Sequence, residues 1–227
     1  MLYELRTYLV GTGRTADMDA MMSRDCTPVF RRHGIPRPIG AWNASAGPRL
    51  PAYVWIVPWP SLEERNKGWA AFGADPEWQA IRRKAHEKSE LTARIDTHFM
   101  AAWPQATPAA GADLSTGAAE ADLWLLRVHA GLGGAARKAF LECDRPVLES
   151  LGARVDAAFD VLTGEELPVV AVLIRWPQAG RRAELLAKYE ASEQVRAARE
   201  AEHAAHGVDL FPSCDRYALT PASAFGR

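Results

Sequence analysis

Between Leu2 and Val10, Tyr3, Leu5, Thr7 and Leu9 fall on one face and Glu4, Arg6 and Tyr8 on the other. A period of two predicts a β-strand. The period then lengthens. From Arg14 to His33, the residues Met18, Met21, Met22, Cys26, Val29, Phe30 and His33 recur at spacings of three and four, one apolar stripe of a helix. Gly34 supplies the C′ position and Ile35-Pro36 bars continuation. Pro28 lies inside this helix and predicts a kink. Segments 38–46 and 52–59 read as a hairpin about Gly47-Pro48. Ser61 with Glu64 forms a capping box for the next helix. Asp75-Pro76-Glu77-Trp78 opens another, with Asp as N-cap, Pro at N1 and Glu in the first turn. A strand from Ile95 to Ala101 completes the order β-α-β-β-α-β, a ferredoxin-like unit.

The second half repeats the first. Pro28-Val29-Phe30 and Gly34 match Pro146-Val147-Leu148 and Gly152 at an offset of 118, and Pro51 through Trp59-Pro60 matches Pro168 through Trp176-Pro177 at 117. His86 falls on His203 at the same 117. The opening strands LYELRTY and LWLLRVH align through Leu5-Arg6 and Leu126-Arg127, with a small indel before the first helix. This preserved order predicts a duplication. Between the copies, QATPAAGADLSTGAAEA lacks Lys, Arg and any clear periodicity, and reads as a linker. The expected organisation is a unit at 1–104, a linker at 105–121, a second unit at 122–220 ending in a strand over 209–219, and a tail at 221–227. Each unit leaves one sheet face open, and two copies can cover it by packing sheet to sheet.

Composition removes several classes of function. Of 227 residues, 48% are hydrophobic, enough for a real core. Lys plus Arg is 27 against Asp plus Glu 28, so no basic excess points to nucleic acid or an anionic membrane. No apolar run is long enough to span a bilayer. The N-terminus, with Glu4 and Arg6 in its apolar stretch, does not read as a signal peptide. Cys26, Cys143 and Cys214 are too few and scattered for a disulfide framework, and no base beside them marks a nucleophile. The expectation is a reduced, cytoplasmic protein; Arg outnumbers Lys and Ala is abundant, as in GC-rich bacterial genomes.

The candidate chemistry clusters in the first half. Glu4, Arg6 and Tyr8 share a strand face about 6.5–7 Å apart, where carboxylate, guanidinium and phenol could orient and polarise an oxygenated ligand. The plainer alternative is an ion pair beside a tyrosine at the interface between the two sheets. The second copy is read as having Leu125, Arg127 and His129 there. His33 lies on its helix's apolar stripe, where the copy has Leu151, and is the candidate base. Trp42 and Trp55 have no counterpart in the repeat and are candidate pocket walls, whereas Trp59 and Trp176 align and read as packing. Tyr8 and His33 are therefore the expected catalytic residues, and Glu4, Arg6, Trp42 and Trp55 the expected ligand contacts. His203 and His206 lack companions for a metal site, so no metal and no cofactor is expected. GxGxxG after a strand, the P-loop and GxSxG are absent.

The motifs LYELRTY, PVFRRHG, GAW, SLEER and DPEWQ resemble the NIPSNAP family over residues 2 to about 102. The second half keeps LR, the Pro-Val pair, the Gly and WP, but has Ser192-Glu193-Gln194-Val195 in place of DPEW. The resemblance implies a dimeric α/β barrel, here built by one tandem chain from two ferredoxin-like units, in the α+β class. It further implies binding of a small molecule or partner without a common reaction. The expected ligand is small, aromatic or apolar, and oxygenated. Relatives on this barrel include cofactor-independent enzymes of the monooxygenase and decarboxylase kinds, so an enzyme of that or an isomerase type is the alternative. A haem-binding relative is a third, since some bind haem through a histidine on the helix that carries His86. A homodimer of the tandem chain stays open.

Overall fold

The computed structural model describes residues 1–117 and 120–223. Eight antiparallel strands close into one barrel in the order β1-β3-β2-β8-β5-β7-β6-β4. The first unit supplies β1 (Leu2–Val10), β2 (Gly40–Ala46), β3 (Ala52–Trp59) and β4 (Thr92–Ala102). The second supplies β5 (Ala121–Arg127), β6 (Arg154–Val161), β7 (Val169–Arg175) and β8 (Ser213–Pro221). Each unit has the ferredoxin-like order 4-1-3-2, and the two sheets face each other across the barrel. Their edges join through β2 on β8, where Ala44 opposes Leu219, and β4 on β6, where Met100 opposes Val161. No sheet edge is left open, which removes the usual templates for aggregation.

Helices cover the outside. In the first unit, Thr15–Ala20, Met21–Cys26 and Thr27–Arg32 run on as one helix, α1, followed by α2 (Leu62–Ala74) and α3 (Pro76–His86). The second unit has α4 (Gly133–Ala139, Phe140–Asp144 and Arg145–Ser150), α5 (Arg182–Glu190) and α6 (Glu193–His206). The prolines do not break α1 and α4. Instead Met21–Cys26 and Phe140–Asp144 widen into π-helical turns ahead of Pro28 and Pro146. The Thr27 hydroxyl donates to the carbonyls of Met22 and Ser23 at 3.2 and 2.9 Å, satisfying backbone oxygens beside Pro28. Gly34 and Gly152 end these helices at φ 66° and 85°, where a side chain would be strained. Ser61 caps α2 by accepting from Glu64 N–H, and Asp75 caps α3 by accepting from Glu77 and Trp78 N–H.

Strands such as β1 and β3 are buried on both faces, and there are three cores. The barrel interior holds Leu5, Trp42, Ile56, Met100, Leu123, Phe159 and Leu173. The other two lie between each sheet's outer face and its helices. The connection between units is anchored rather than loose: Ala106 and Leu114 are buried, Leu114 N–H donates to the Ile39 carbonyl at 2.6 Å, and Arg37 pairs with Asp113. Of the expected tail, residues 224–227 lie outside the described residues.

The barrel corrects the alignment of the opening strands. Leu5 opposes Ile56 and Leu123 opposes Leu173, while Ile56 and Leu173 each precede the matched Trp59 and Trp176 by three residues. Glu4, Arg6 and Tyr8 therefore correspond to Asp122, Trp124 and Leu126, not to Leu125, Arg127 and His129. Side chains facing the barrel must match side chains facing the barrel, and the shared Leu-Arg dipeptide spans the wrong faces.

Candidate functional site

Glu4, Arg6 and Tyr8 point away from the barrel interior, into the layer beneath α1, α2 and α3. They are not at an interface between sheets. Glu4 is fully buried, and its carboxylate accepts at every side. Arg6 Nη1 and Arg65 Nη2 donate to Oε1 at 2.6 and 2.8 Å; Trp59 Nε1, Trp69 Nε1 and Arg65 Nε donate to Oε2 at 2.8, 3.0 and 3.3 Å. Burial by itself would raise the Glu4 pKa, but the Arg65 hydrogen bond, the Arg6 charge and the Trp69 N–H outweigh it and hold the carboxyl below its usual range. Both oxygens are taken. Glu4 binds the strand to α2 and fixes Arg6.

Arg6 is the next layer out. Its Nε donates to the Tyr8 hydroxyl at 3.1 Å, and its guanidinium carbon lies 4.5 Å from the Trp69 ring centre and 5.6 Å from that of Trp55. Among the described residues its Nη2 has no acceptor. Trp55 stacks on Phe30 at 5.7 Å and meets Tyr8 edge-on at 5.8 Å. Burial pushes the Tyr8 phenol above its usual pKa, against the opposing Arg6 charge, so near neutral pH Tyr8 keeps its proton. Its oxygen accepts from Arg6, and its O–H remains to donate.

Arg6 and Tyr8 form the floor of a cavity of about 570 Å³. The π-helical turn of α1 contributes Met21, Met22 and Cys26, and Phe30 follows; α2 contributes Trp69 and Phe72. From α3 come Trp78, Arg82, Arg83 and His86, and from β4 the stretch Thr92–Ile95. Trp78 stacks on Phe72 at 4.5 Å. The floor is polar, the walls are aromatic and thioether, and the rim is basic. None of these described lining residues is acidic. Arg94 is paired with Asp96 at 2.6 Å, but Arg82 and Arg83 have no ion-pair partner among the described residues. Burial pushes the Cys26 thiol up to about 12, so it is a wall group and not a thiolate.

Of the six expected residues only Arg6 and Tyr8 line the cavity; Glu4 and Trp55 lie behind them, and His33 and Trp42 lie elsewhere. His33 does not line the cavity: its Nε2–H donates to Asp75 Oδ2 at 2.6 Å, tying the end of α1 to the cap of α3, where Arg32 also pairs with Asp75. Trp42 fills the barrel interior, fully buried, with its ring pressed on Gly40 so closely that a Cβ there would lie 2.2 Å away. Trp59, read as packing, is a partner of Glu4. The rim was missed by the sequence reading, although Trp78, Arg82 and His86 recur every four residues along α3. His203, on α6, hydrogen-bonds Asp209 at 2.8 Å.

The buried carboxylate clamp occurs twice. At the place of Glu4 and Arg65, the second unit has Asp122 and Arg182, with Arg182 Nη2 and Trp124 Nε1 each 3.0 Å from Asp122 Oδ2. The NIPSNAP family model matches residues 3–106. The first unit is a NIPSNAP unit. An uncharacterized NIPSNAP domain protein from Burkholderia xenovorans is 21% identical over 49% of this chain and 97% of that one, with a TM-score of 0.39. A proposed monooxygenase from Lactobacillus acidophilus is 7% identical, spanning 99% of this chain and 95% of that one at a TM-score of 0.60. An anthrone oxidase-like protein is 12% identical, spanning 100% and 94% at 0.55. These full-length likenesses are of fold, and they accord with a tandem chain that closes an α/β barrel from a NIPSNAP unit and a diverged second copy. No curated protein matches the chain. No helix among the described residues is long and apolar enough to cross a membrane.

Proposed function

We propose that the cavity of the NIPSNAP unit binds a small aromatic or apolar molecule through an anionic oxygen, as in an aromatic carboxylate. The observation that carries this reading is the cavity's polarity: an Arg6–Tyr8 floor, walls of Phe30, Trp69, Phe72 and Trp78, and Arg82 and Arg83 at the rim with no lining acid to neutralise them. Burying a ligand's charge costs free energy unless it is paired and hydrogen-bonded, and Arg6 with the Tyr8 hydroxyl supplies both. Its volume of about 570 Å³ suits a ligand of drug-like size. Glu4 and Trp55 hold Arg6 and Tyr8 in place; His33 steadies the helices above them.

Tryptophan-fluorescence titration with 1-naphthoate and 1-naphthamide tests this reading. Naphthoate should bind at least roughly tenfold tighter than the amide, and Arg6→Ala or Arg83→Glu should erase most of that preference. Equal affinity for both probes, or a preference untouched by both variants, refutes it. Tyr8 favours an enzyme as the second reading, since a protonated phenol beside a guanidinium can deliver a proton to a bound oxyanion. In that case Tyr8→Phe keeps binding and loses turnover. The neighbours described as a proposed monooxygenase and as anthrone oxidase-like share this fold, and fold alone assigns no chemistry.

A further inference from the structure

The second unit has its own cavity, of about 260 Å³, in the place that corresponds to the first. Trp124 and Leu126 stand where Arg6 and Tyr8 do, Tyr189 and Arg199 where Phe72 and Arg82 do, and Val195 where Trp78 does. Asp144 ends the π-helical turn of α4 as Cys26 ends that of α1. This exchange puts a carboxylate against the cavity. Asp144 is 1% exposed, and its Oδ1 accepts from both the Tyr189 hydroxyl and Arg199 Nη2. Its other oxygen, Oδ2, is buried and has no donor among the described residues. Carboxylate oxygens out of water are normally satisfied, so a buried one without a donor, on a residue that lines a cavity, marks where a donor fits.

We propose that this cavity is a second ligand site, for a small uncharged hydroxy-aromatic compound whose O–H donates to Asp144 Oδ2. The lack of ligand charge follows from the lining: Asp144 and Glu190 are balanced by Arg199 and Arg216, and Arg216 is itself paired with Glu190. Its aromatic character follows from Trp124, Phe140 and Phe211, the first and last already covered by the guanidinium groups of Arg216 at 4.6 Å and Arg199 at 4.9 Å. The size sets a single-ring limit. The two units thus take ligands of different charge on one framework, and this site does not depend on the reading given for the first.

Calorimetric titration of the full chain with p-cresol, and with toluene as the same shape without the hydroxyl, tests the site. p-Cresol should bind, with toluene weaker by roughly tenfold or more, because a site built for a hydroxyl rejects the analogue that lacks it. Asp144→Asn replaces the open acceptor by an N–H₂ group, and Val195→Trp fills the cavity with the residue found at Trp78; each should weaken p-cresol by roughly tenfold or more. Val195→Trp leaves the Tyr189–Asp144–Arg199 bonds alone and decides the matter if Asp144→Asn does not fold by circular dichroism. Arg83→Glu, in the first cavity, should change nothing. The proposal is overturned if p-cresol does not bind, if toluene matches it, if binding survives both second-unit variants, or if Arg83→Glu abolishes it.

Discussion

Changing Glu4 to Gln keeps the side chain's shape and removes its charge. Five donors converge on the two carboxylate oxygens of Glu4, which is fully buried. An amide has one oxygen, so whichever way Gln turns, its N–H₂ meets donors. If the oxygen faces Arg6 Nη1 and Arg65 Nη2, the amide nitrogen faces the indole N–H groups of Trp59 and Trp69. Each buried donor left without an acceptor costs about 1–3 kcal/mol. Two of them, with the weakened pairing to Arg6 and Arg65, give about 4 kcal/mol, inside the usual cost of about 3–5 kcal/mol for breaking a buried ion pair. A typical domain has only about 5–15 kcal/mol in hand. With a urea dependence of about 2.5 kcal/mol per molar, the unfolding midpoint should fall by about 1.6 M at unchanged slope. If Glu4 served the ligand instead of the framework, Glu4→Gln would alter binding and barely move the midpoint. A shift below about 0.3 M in urea unfolding refutes the clamp.

The same carboxylate makes stability depend on pH. Its folded pKa lies below the usual unfolded value of about 4.3, so its contribution is complete above that pH and is lost as pH falls through the folded pKa; the urea midpoint should drop below about pH 4, and a drop of equal size in Glu4→Gln would show that other groups cause it. Trp42→Ala should cost about 3–5 kcal/mol by emptying the barrel interior while leaving naphthoate affinity unchanged, and a parallel loss of affinity would return Trp42 to the site. Residues 1–104 expressed alone should dimerise or aggregate, because β2 and β4 lose the partners β8 and β6; a stable monomer by sedimentation would contradict the closure of the barrel within one chain.

What was legible in the sequence was local. The alternation of Leu2–Val10, the caps at Ser61 and Asp75 and the stop at Gly34 each depend on residues a few positions apart, and all stand as read. Asp75 shows the limit of such reading. Its capping role is visible in DPEW, but the same carboxylate also receives His33 from a helix 42 residues earlier, and that long-range bond is what removes His33 from the cavity. Trp42 and Trp55 illustrate another limit. In a strand buried on both faces, alternation separates the two sets without saying which one faces the barrel interior. Trp42 opposes Val54, and both face the interior, whereas Trp55 faces the helices. Pro28 shows a third. A missing N–H predicts an interrupted helix, yet it does not say whether the chain answers by bending or by widening a turn.

Comparison of the two units separates framework from site without reference to any other protein. Glu4 with Arg65 and Asp122 with Arg182 occupy the same place, and each carboxylate also receives an indole N–H. Both π-helical turns are kept as well. These are the parts that join the sheet to its helices, and a change in either partner would strand a buried charge. The residues one step outward differ: Tyr8 against Leu126, Cys26 against Asp144, and Arg6, which also donates to Glu4, against Trp124. A carboxylate clamped from α2 by Arg65 and Trp69 leaves wall residues that do not touch it, such as Tyr8 and Cys26, free to vary, because exchanging them alters what the cavity can hold without unpairing the carboxylate beneath. The π-helical turn has the corresponding effect on the helix side, since it presents its last residue to the cavity whether that residue is a thiol or an acid. The difference in ligand character proposed for the two units thus follows from where the fold confines its own polar bonds.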